Sequence, residues 1–393
     1  MTKRDKTRFV HVARPASNGE AGAVNPSVVR ASTVLYPSTA HLRDLVRRRN
    51  AGERSFSYGA KGTPTTFALE DAITEVEGGK RTQLFATGLA AVAHVFLSVL
   101  KPGDHVLLAE TIYGPARQIA DDYLKPRGIV CEYYPGGAAA AAEVARRLRP
   151  ETRLVYLDNP GSIVFDVQDL PAICTAVKGS NALVAVDNTW GAAGIYRPLA
   201  LGADISVVAL TKYIAGHSDI TMGSVTANER IADQLWRDSH ILGQTVSPDD
   251  AYNVLRGLRT VSARIAQAHT HAMEVIAWLQ RQPQVERVLF PPLESDPGHT
   301  LWKRDFNGAI SLFSVILKPQ YKIEHANAFI DALRLFGIGA SWGGYESLAL
   351  TYQQGIRGWS GGALIRLHVG LEDPADLIDD LGLGFAAMGA VRG

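Results

Sequence analysis

Leu183-Val184-Ala185-Val186-Asp187-Asn188-Thr189-Trp190 and, further on, Val207-Val208-Ala209-Leu210-Thr211-Lys212-Tyr213 share one pattern: a short apolar run with polar residues at its exit. Continuous Val/Leu/Ile/Ala runs bounded in this way belong to strands buried on both faces. The rhythm extends in both directions, through Gln83–Ala86, His105–Ala109, Ile129–Tyr134 and Leu154–Leu157 to Ile205–Leu210 and Gly223–Ala227. Most spacers are long enough for a helix, which predicts a three-layer α/β domain with a mostly parallel sheet. The last spacers are shorter and leave room for one antiparallel strand. Ligands bind such sheets outside the carboxyl ends of the strands. The chemistry is therefore expected in loops 86–89, 110–114, 158–162, 187–190 and 211–217.

Outside this core the text changes character. Residues 1–60 carry scattered Pro, Gly and Ser and are expected to form an irregular arm. Ala251–Gln280 has apolar residues at helical spacing and predicts one long helix. Strands are expected at Val285–Phe290, Ala309–Leu317 and Ala363–Val369, and helices at His325–Phe336 and Ala375–Met388. Together they make a smaller C-terminal α+β domain. The expected division is an arm over 1–60, a large domain over 61–255 and a small domain over 256–393. Gly136-Gly137 and the alanines that follow predict a turn opening a helix.

Composition narrows the function classes. Lys plus Arg number 40 and Asp plus Glu 39, so no strong field draws in nucleic acid or an anionic membrane. Arg47-Arg48-Arg49 is expected at a solvated helix end. Cys131 and Cys174 are far apart in apolar surroundings, which favours simple burial over a metal or redox role and fits a reducing cytoplasm. The first fifteen residues lack the apolar core of a signal peptide, and no apolar run reaches the roughly 18 residues of a membrane span. Neither GxGxxG nor GxxxxGK[ST] occurs.

Five positions carry candidate chemistry, and each has a plain structural alternative. Asp187 at a strand exit is a helix cap or a counter-ion for a protonated ring nitrogen. Lys212 at the next exit is a surface lysine or a partly buried amine able to attack a carbonyl. Thr87-Gly88-Leu89-Ala90-Ala91 is an ordinary turn into a helix or an N-terminus holding a phosphate. Tyr113 packs at an interface or stacks on a flat aromatic group. Arg366, inside the apolar run Leu364-Ile365-Arg366-Leu367, pairs with a structural carboxylate or binds a substrate carboxylate as a fork.

From about residue 20 onward the chain resembles the Cys/Met-metabolism pyridoxal-phosphate enzymes, which include cystathionine lyases and cystathionine γ-synthases. The resemblance rests on Tyr58-Gly59 with Gly62-Thr63-Pro64-Thr65, Glu77-Gly78-Gly79, Thr87-Gly88-Leu89-Ala90-Ala91, Asp187-Asn188-Thr189, Thr211-Lys212-Tyr213 with Gly216-His217-Ser218, Arg256-Gly257-Leu258-Arg259-Thr260 and Leu364-Ile365-Arg366. Pro160-Gly161-Ser162, Ser341-Trp342-Gly343-Gly344-Tyr345-Glu346-Ser347 and Gly370-Leu371-Glu372-Asp373 are most similar to the bacterial cystathionine β-lyases within it.

The resemblance implies fold type I and pyridoxal 5′-phosphate as cofactor. Lys212 would carry the cofactor as a Schiff base and move protons, and Asp187 would pair with its ring nitrogen. Tyr113 would stack on the ring, while Gly88, Leu89 and Thr211 would hold its phosphate. Tyr58 would reach the phosphate of a neighbouring subunit, which implies a homotetramer built as a dimer of dimers with shared active sites. Arg366 and Ser341 would fix the substrate α-carboxylate with Trp342 beside them. The implied reaction is β-elimination, releasing a thiol, pyruvate and ammonia.

Several positions depart from the family pattern. Ala60 stands where an arginine is usual, with Lys61 next to it, and Ala209 stands where many relatives have serine. Ser57 replaces an aromatic residue before the tyrosine, and His240 replaces a tyrosine before Ile241-Leu242-Gly243-Gln244. These positions are expected near the cofactor phosphate or the distal substrate pocket, His240 among the substrate-facing residues. The resemblance implies cystathionine or a related sulfur amino acid as substrate, and the change of these positions together implies drift from cystathionine toward another sulfur amino acid, such as a cysteine conjugate or an intermediate of specialised metabolism. Two alternatives stay open: γ-chemistry on an activated homoserine, and a catalytically weak cofactor-binding homologue.

Overall fold

The computed structural model describes residues 4–15, 19, 21–352 and 362–391. Seven strands form the first sheet: β1 Arg81–Phe85, β2 His105–Ala109, β3 Val130–Tyr134, β4 Thr152–Asp158, β5 Leu183–Asp187, β6 Ile205–Val208 and β7 Gly223–Ala227. Their order is β1-β7-β6-β5-β4-β2-β3. The pairs joining β3, β2, β4, β5 and β6 are parallel. The antiparallel strand is β7, which runs against both β1 and β6. Its connection from β6, residues 209–222, contains no helix to carry the chain back over the sheet, and the strand returns antiparallel.

Burial explains the apolar runs. Val106, Leu107, Leu108, Leu154, Val155, Tyr156, Leu157, Val186 and Ile205 are all shut off from solvent between the two helical layers. Each such side chain contributes about 1.5–3 kcal/mol relative to an exposed one. Helix Gly88–Val99 follows β1, and Thr87 caps it by accepting the Ala90 N–H at 3.0 Å.

The second sheet contains β8 Val285–Leu289, β9 Leu312–Leu317, β10 Gly337–Ile338, β11 Leu348–Tyr352 and β12 Leu364–His368, in the order β10-β11-β12-β9-β8. The long helix runs from Pro248 to Leu279, with Ser247 accepting the first amides and Pro248 pre-set for the first turn. Its buried stripe includes Val254, Leu258, Val261, Ile265 and Ala272.

Three expectations need correction. The arm is not wholly irregular. Asp5–His11 is helical and buries Phe9, with Arg8 bonded to Glu75, and Thr39–Asn50 is helical with no buried residue. The second helix carries a short apolar stripe, Leu42, Leu45 and Val46, that is not buried within the chain, and Ser38 caps its start by accepting the His41 amide. The helix expected over 325–336 covers Ile323–Asp331, because Asp380 takes the amides of Arg334, Leu335 and Phe336 out of helical pairing. Finally, β10 and β11 match no expected strand.

Arg47, Arg48 and Arg49 do sit in a last helical turn facing solvent. Cys131 and Cys174 are unpaired and half-buried; burial pushes their thiols up to about 11 and about 12, which keeps them unreactive. Gly137–Ala139 and Ala140–Arg147 form the expected turn and helix. Among the described residues no helix is long and apolar enough to cross a membrane, and no group of His, Cys, Asp and Glu is arranged to hold a metal.

Candidate active site

Parallel pairing brings the exits of β4, β5 and β6 to one edge of the sheet. Asp158 lies opposite Asp187 in register, and Asp187 opposite Val207. Beyond this edge, between the two sheets, lies a cavity of about 450 Å³. Lys212, Asp187, Tyr113, Gly88, Leu89, Thr211, Arg366, Ser341 and Trp342 all line it. The nine come from segments separated by up to hundreds of residues, so the fold itself assembles the set.

Lys212 closes a turn after β6, with its N–H on the Ala209 carbonyl at 3.1 Å. Its Nζ donates to Ser341 Oγ at 2.7 Å and lies 5.5 Å from the Trp342 ring centre. Burial first, and then the charge of Arg366, lower this amine to about 8, against the opposing pull of Asp187. An amine titrating there is partly neutral near physiological pH and can act as nucleophile or base.

Asp187 is half-buried at the end of β5, at the cavity wall. Its Oδ1 accepts from the Thr189 amide at 3.0 Å and the Thr189 hydroxyl at 2.6 Å. Its Oδ2 has only the Tyr156 hydroxyl at 3.5 Å, too long for a strong bond. Burial raises its carboxyl above the ordinary range, and the Thr189 contacts oppose that. A half-buried carboxylate with one oxygen this poorly satisfied, turned to a cavity, is a place for a cation.

Tyr113 opens helix Gly114–Gln118, and its N–H donates to Asp158 Oδ2 at 2.8 Å. Burial, with Asp187 next, raises its phenol. Arg366 points from β12 into the cavity and donates to the Ser341 carbonyl at 3.2 Å. No carboxylate among the described residues pairs with it, so the purely structural reading of this arginine lacks a partner. Ser341 has φ +125°, unusual for a residue with a side chain, and is held at both its hydroxyl and its carbonyl.

Gly88 and Leu89 begin a helix whose first amides have no intrahelical partner. A Cβ at Gly88 would stand 2.7 Å from the Ala209 Cβ, so backbone and Ala209 are in close approach there. Thr211 Oγ1 is bonded to Met222 on both sides, donating to its carbonyl at 3.2 Å and accepting its amide at 2.9 Å. Its hydroxyl proton is therefore committed to the strand that follows.

Two expected site residues lie elsewhere in the protomer. Tyr58 is about half exposed, at 49%, and away from the cavity. His240 faces a separate groove with Lys61, Arg49 and Trp236; its Nδ1 contacts the Trp236 carbonyl at 2.8 Å, and its own carbonyl accepts from Lys61 Nζ at 2.8 Å. Lys61 thus reaches the His240 backbone within its own chain.

The sequence reading missed supporting residues. Asp158 is buried beside Asp187, which together with burial raises it strongly; its carboxyl holds the Tyr113 amide. Thr189 links Asp187 to the Ala209 amide, which donates to its hydroxyl at 2.9 Å. The signal for Asp158 was present, since it ends the apolar run Leu154–Leu157 just as Asp187 ends its own.

These features fit pyridoxal phosphate. Helix amides suit the phosphate, an undersatisfied half-buried carboxylate suits a protonated ring nitrogen, and a lowered lysine suits a carbonyl carbon.

Comparison with known proteins agrees. Residues 6–386 match the family described as Cys/Met metabolism PLP-dependent enzyme. A cystathionine beta-lyase of Bordetella avium is 45% identical over 390 residues, covering 96% of each chain. A cystathionine beta-lyase of Escherichia coli is 40% identical, covering 98% of each. The crystal structure of cystathionine gamma synthase from Xanthomonas oryzae, in complex with aminoacrylate and cysteine, superimposes with a TM-score of 0.88 at 30% identity over the whole of both chains.

Proposed function

The chain belongs to the Cys/Met metabolism pyridoxal-phosphate-dependent enzymes, and from that premise we propose that it cleaves the β-carbon–sulfur bond of cystathionine or a related sulfur amino acid. The fold is fold type I, the cofactor is pyridoxal phosphate, and the enzyme is a carbon–sulfur β-lyase. The observation that carries this reading is the convergence of Lys212, Asp187, Arg366 and Ser341 on one cavity.

Lys212 is the residue to hold the cofactor covalently, with Asp187 at its ring nitrogen, Tyr113 on its face and the Gly88-Leu89 amides at its phosphate. When bound, pyridoxal phosphate supplies a protonated ring that takes up the electron pair left on the substrate α-carbon. Arg366 binds the α-carboxylate through its planar fork, and Ser341 fixes the same end. With the cofactor in place, Lys212 Nζ would be the base that takes the α-proton, and its lowered basicity matches that task. The β-carbon–sulfur bond then breaks with its electron pair leaving on sulfur. The thiolate becomes a thiol, and the enamine product loses ammonia in water to give pyruvate.

The finer assignments rest on the resemblance. The enzyme is a homotetramer in which Tyr58 completes a neighbour's site. Its exposure in the protomer and its distance from the chain's own cavity support that arrangement. The arm spans 1–60, the cofactor domain 61–255 and the small domain 256–393. Cytoplasmic work suits its two unpaired thiols.

The test is the keto acid formed from L-cystathionine by the cofactor-loaded enzyme. Pyruvate is expected. 2-Oxobutyrate in its place would assign γ-elimination, since the same residues can serve either chemistry.

A further inference from the structure

Behind the Lys212–Ser341 contact lies a buried polar chain that the reaction does not use. His368 is 1% exposed on β12. Its Nε2 faces the Gly343 amide at 3.1 Å and the Gly344 carbonyl at 3.2 Å. Its Nδ1 lies 3.4 Å from both the Tyr213 hydroxyl and Ser311 Oγ.

In the tautomer with the ring proton on Nδ1, Nε2 accepts from the Gly343 N–H, and the Gly344 carbonyl beside the same nitrogen takes no bond from the ring. Nδ1–H then donates toward Tyr213 and Ser311. The Tyr213 O–H donates to Ser311 Oγ at 2.8 Å, and the Ser311 N–H returns to the Tyr213 oxygen at 3.1 Å. The Ser311 O–H ends the chain on the Val369 carbonyl at 2.5 Å. A second ring proton, on Nε2, would meet the Gly344 carbonyl but leave the Gly343 N–H without its acceptor. Burial is the first cause of a lowering to about 4, and the ring is neutral at working pH.

The position of this ring gives the network its meaning. Gly343 has φ +84°, and a Cβ on it would lie 2.7 Å from the Tyr213 nitrogen. The turn after Ser341 is thus pressed onto the backbone of Lys212-Tyr213. Ser341 itself is in a conformation that its neighbours must enforce.

We propose that His368 is a positioning residue: by binding Gly343 on one side and the Tyr213–Ser311 pair on the other, it holds Ser341 where it meets Lys212 and the substrate α-carboxylate. This rests on the reading of Arg366 and Ser341 as the carboxylate site.

The test uses the holoenzyme and L-alanine, which has no β-leaving group, with its dissociation constant read from the change in visible absorbance. The amide oxygen of His368→Gln can still accept from Gly343, and this variant should bind within about twofold of the parent. His368→Asn keeps a donor near Tyr213 but cannot reach Gly343. It should bind about tenfold more weakly, the scale of one lost hydrogen bond. Its cofactor content and melting temperature should stay parent-like. Equal affinity in His368→Asn, or equal loss in both variants, overturns the proposal. If His368→Asn does not fold, Tyr213→Phe decides: affinity weakened several-fold supports the proposal, and parent-like affinity overturns it. Arg366→Lys separates the two readings. If it leaves L-alanine binding intact, the carboxylate site is misassigned and this inference falls with it. If it weakens binding while His368→Asn does not, only the inference fails.

Discussion

Lys212 stands at the exit of an apolar strand, and its environment rather than its identity makes it reactive. Burial disfavours the ammonium form, so the amine deprotonates near 8 instead of near 10.5. In cofactor-free protein, the rate at which an amine-acylating reagent labels Lys212 should rise with pH and level off just above 8. Exposed lysines should go on rising past 10, and a Lys212 profile that matched theirs would remove the case for an activated amine. Arg366 makes a second residue-scale test. Truncation to alanine should raise KM by about 10- to 100-fold through loss of charge-assisted bonds, with a smaller effect on kcat. Lysine should fall between, because it offers a point charge and not a fork. Asp187 and Lys212 were legible because each ends its own apolar run. His368 was not, because it interrupts no pattern and meets Tyr213 only across 155 residues of chain.

At the scale of elements, alternation of apolar runs with helix-length spacers located the central sheet to within a residue or two. Side chains buried on both faces leave that mark, as Val106–Ala109 and Val184–Val186 do. Elements with one wet face or none buried left little trace. β11 is partly exposed along most of its length, and Thr39–Asn50 buries nothing. The start of helix Gly88–Val99 carries a prediction of its own. A methyl at Gly88 meets Ala209 and must push the first amides away from where they now point. Gly88→Ala should keep its melting temperature within a few degrees but lose cofactor on dialysis, as followed by visible absorbance. Full retention would show that these amides do not hold the phosphate.

For the whole molecule, the cavity is assembled from both sheets, while Tyr58 stays half exposed beyond it. A site shared between subunits makes a sharp prediction. The Lys212→Ala and Tyr58→Ala variants should each be nearly inactive. Unfolded together and refolded, they should regain up to about a quarter of parent activity, because in mixed pairs one site takes Lys212 from one chain and Tyr58 from the other. Failure to regain any would place Tyr58 outside the neighbour's site. What every scale depends on is that Lys212, and no other lysine, carries the cofactor. Borohydride reduction of the holoenzyme followed by peptide mass analysis tests that directly. The cofactor mass is expected on the peptide that contains Thr211-Lys212-Tyr213. The same mass on a different lysine, or on none, would show that Lys212 does not carry the cofactor.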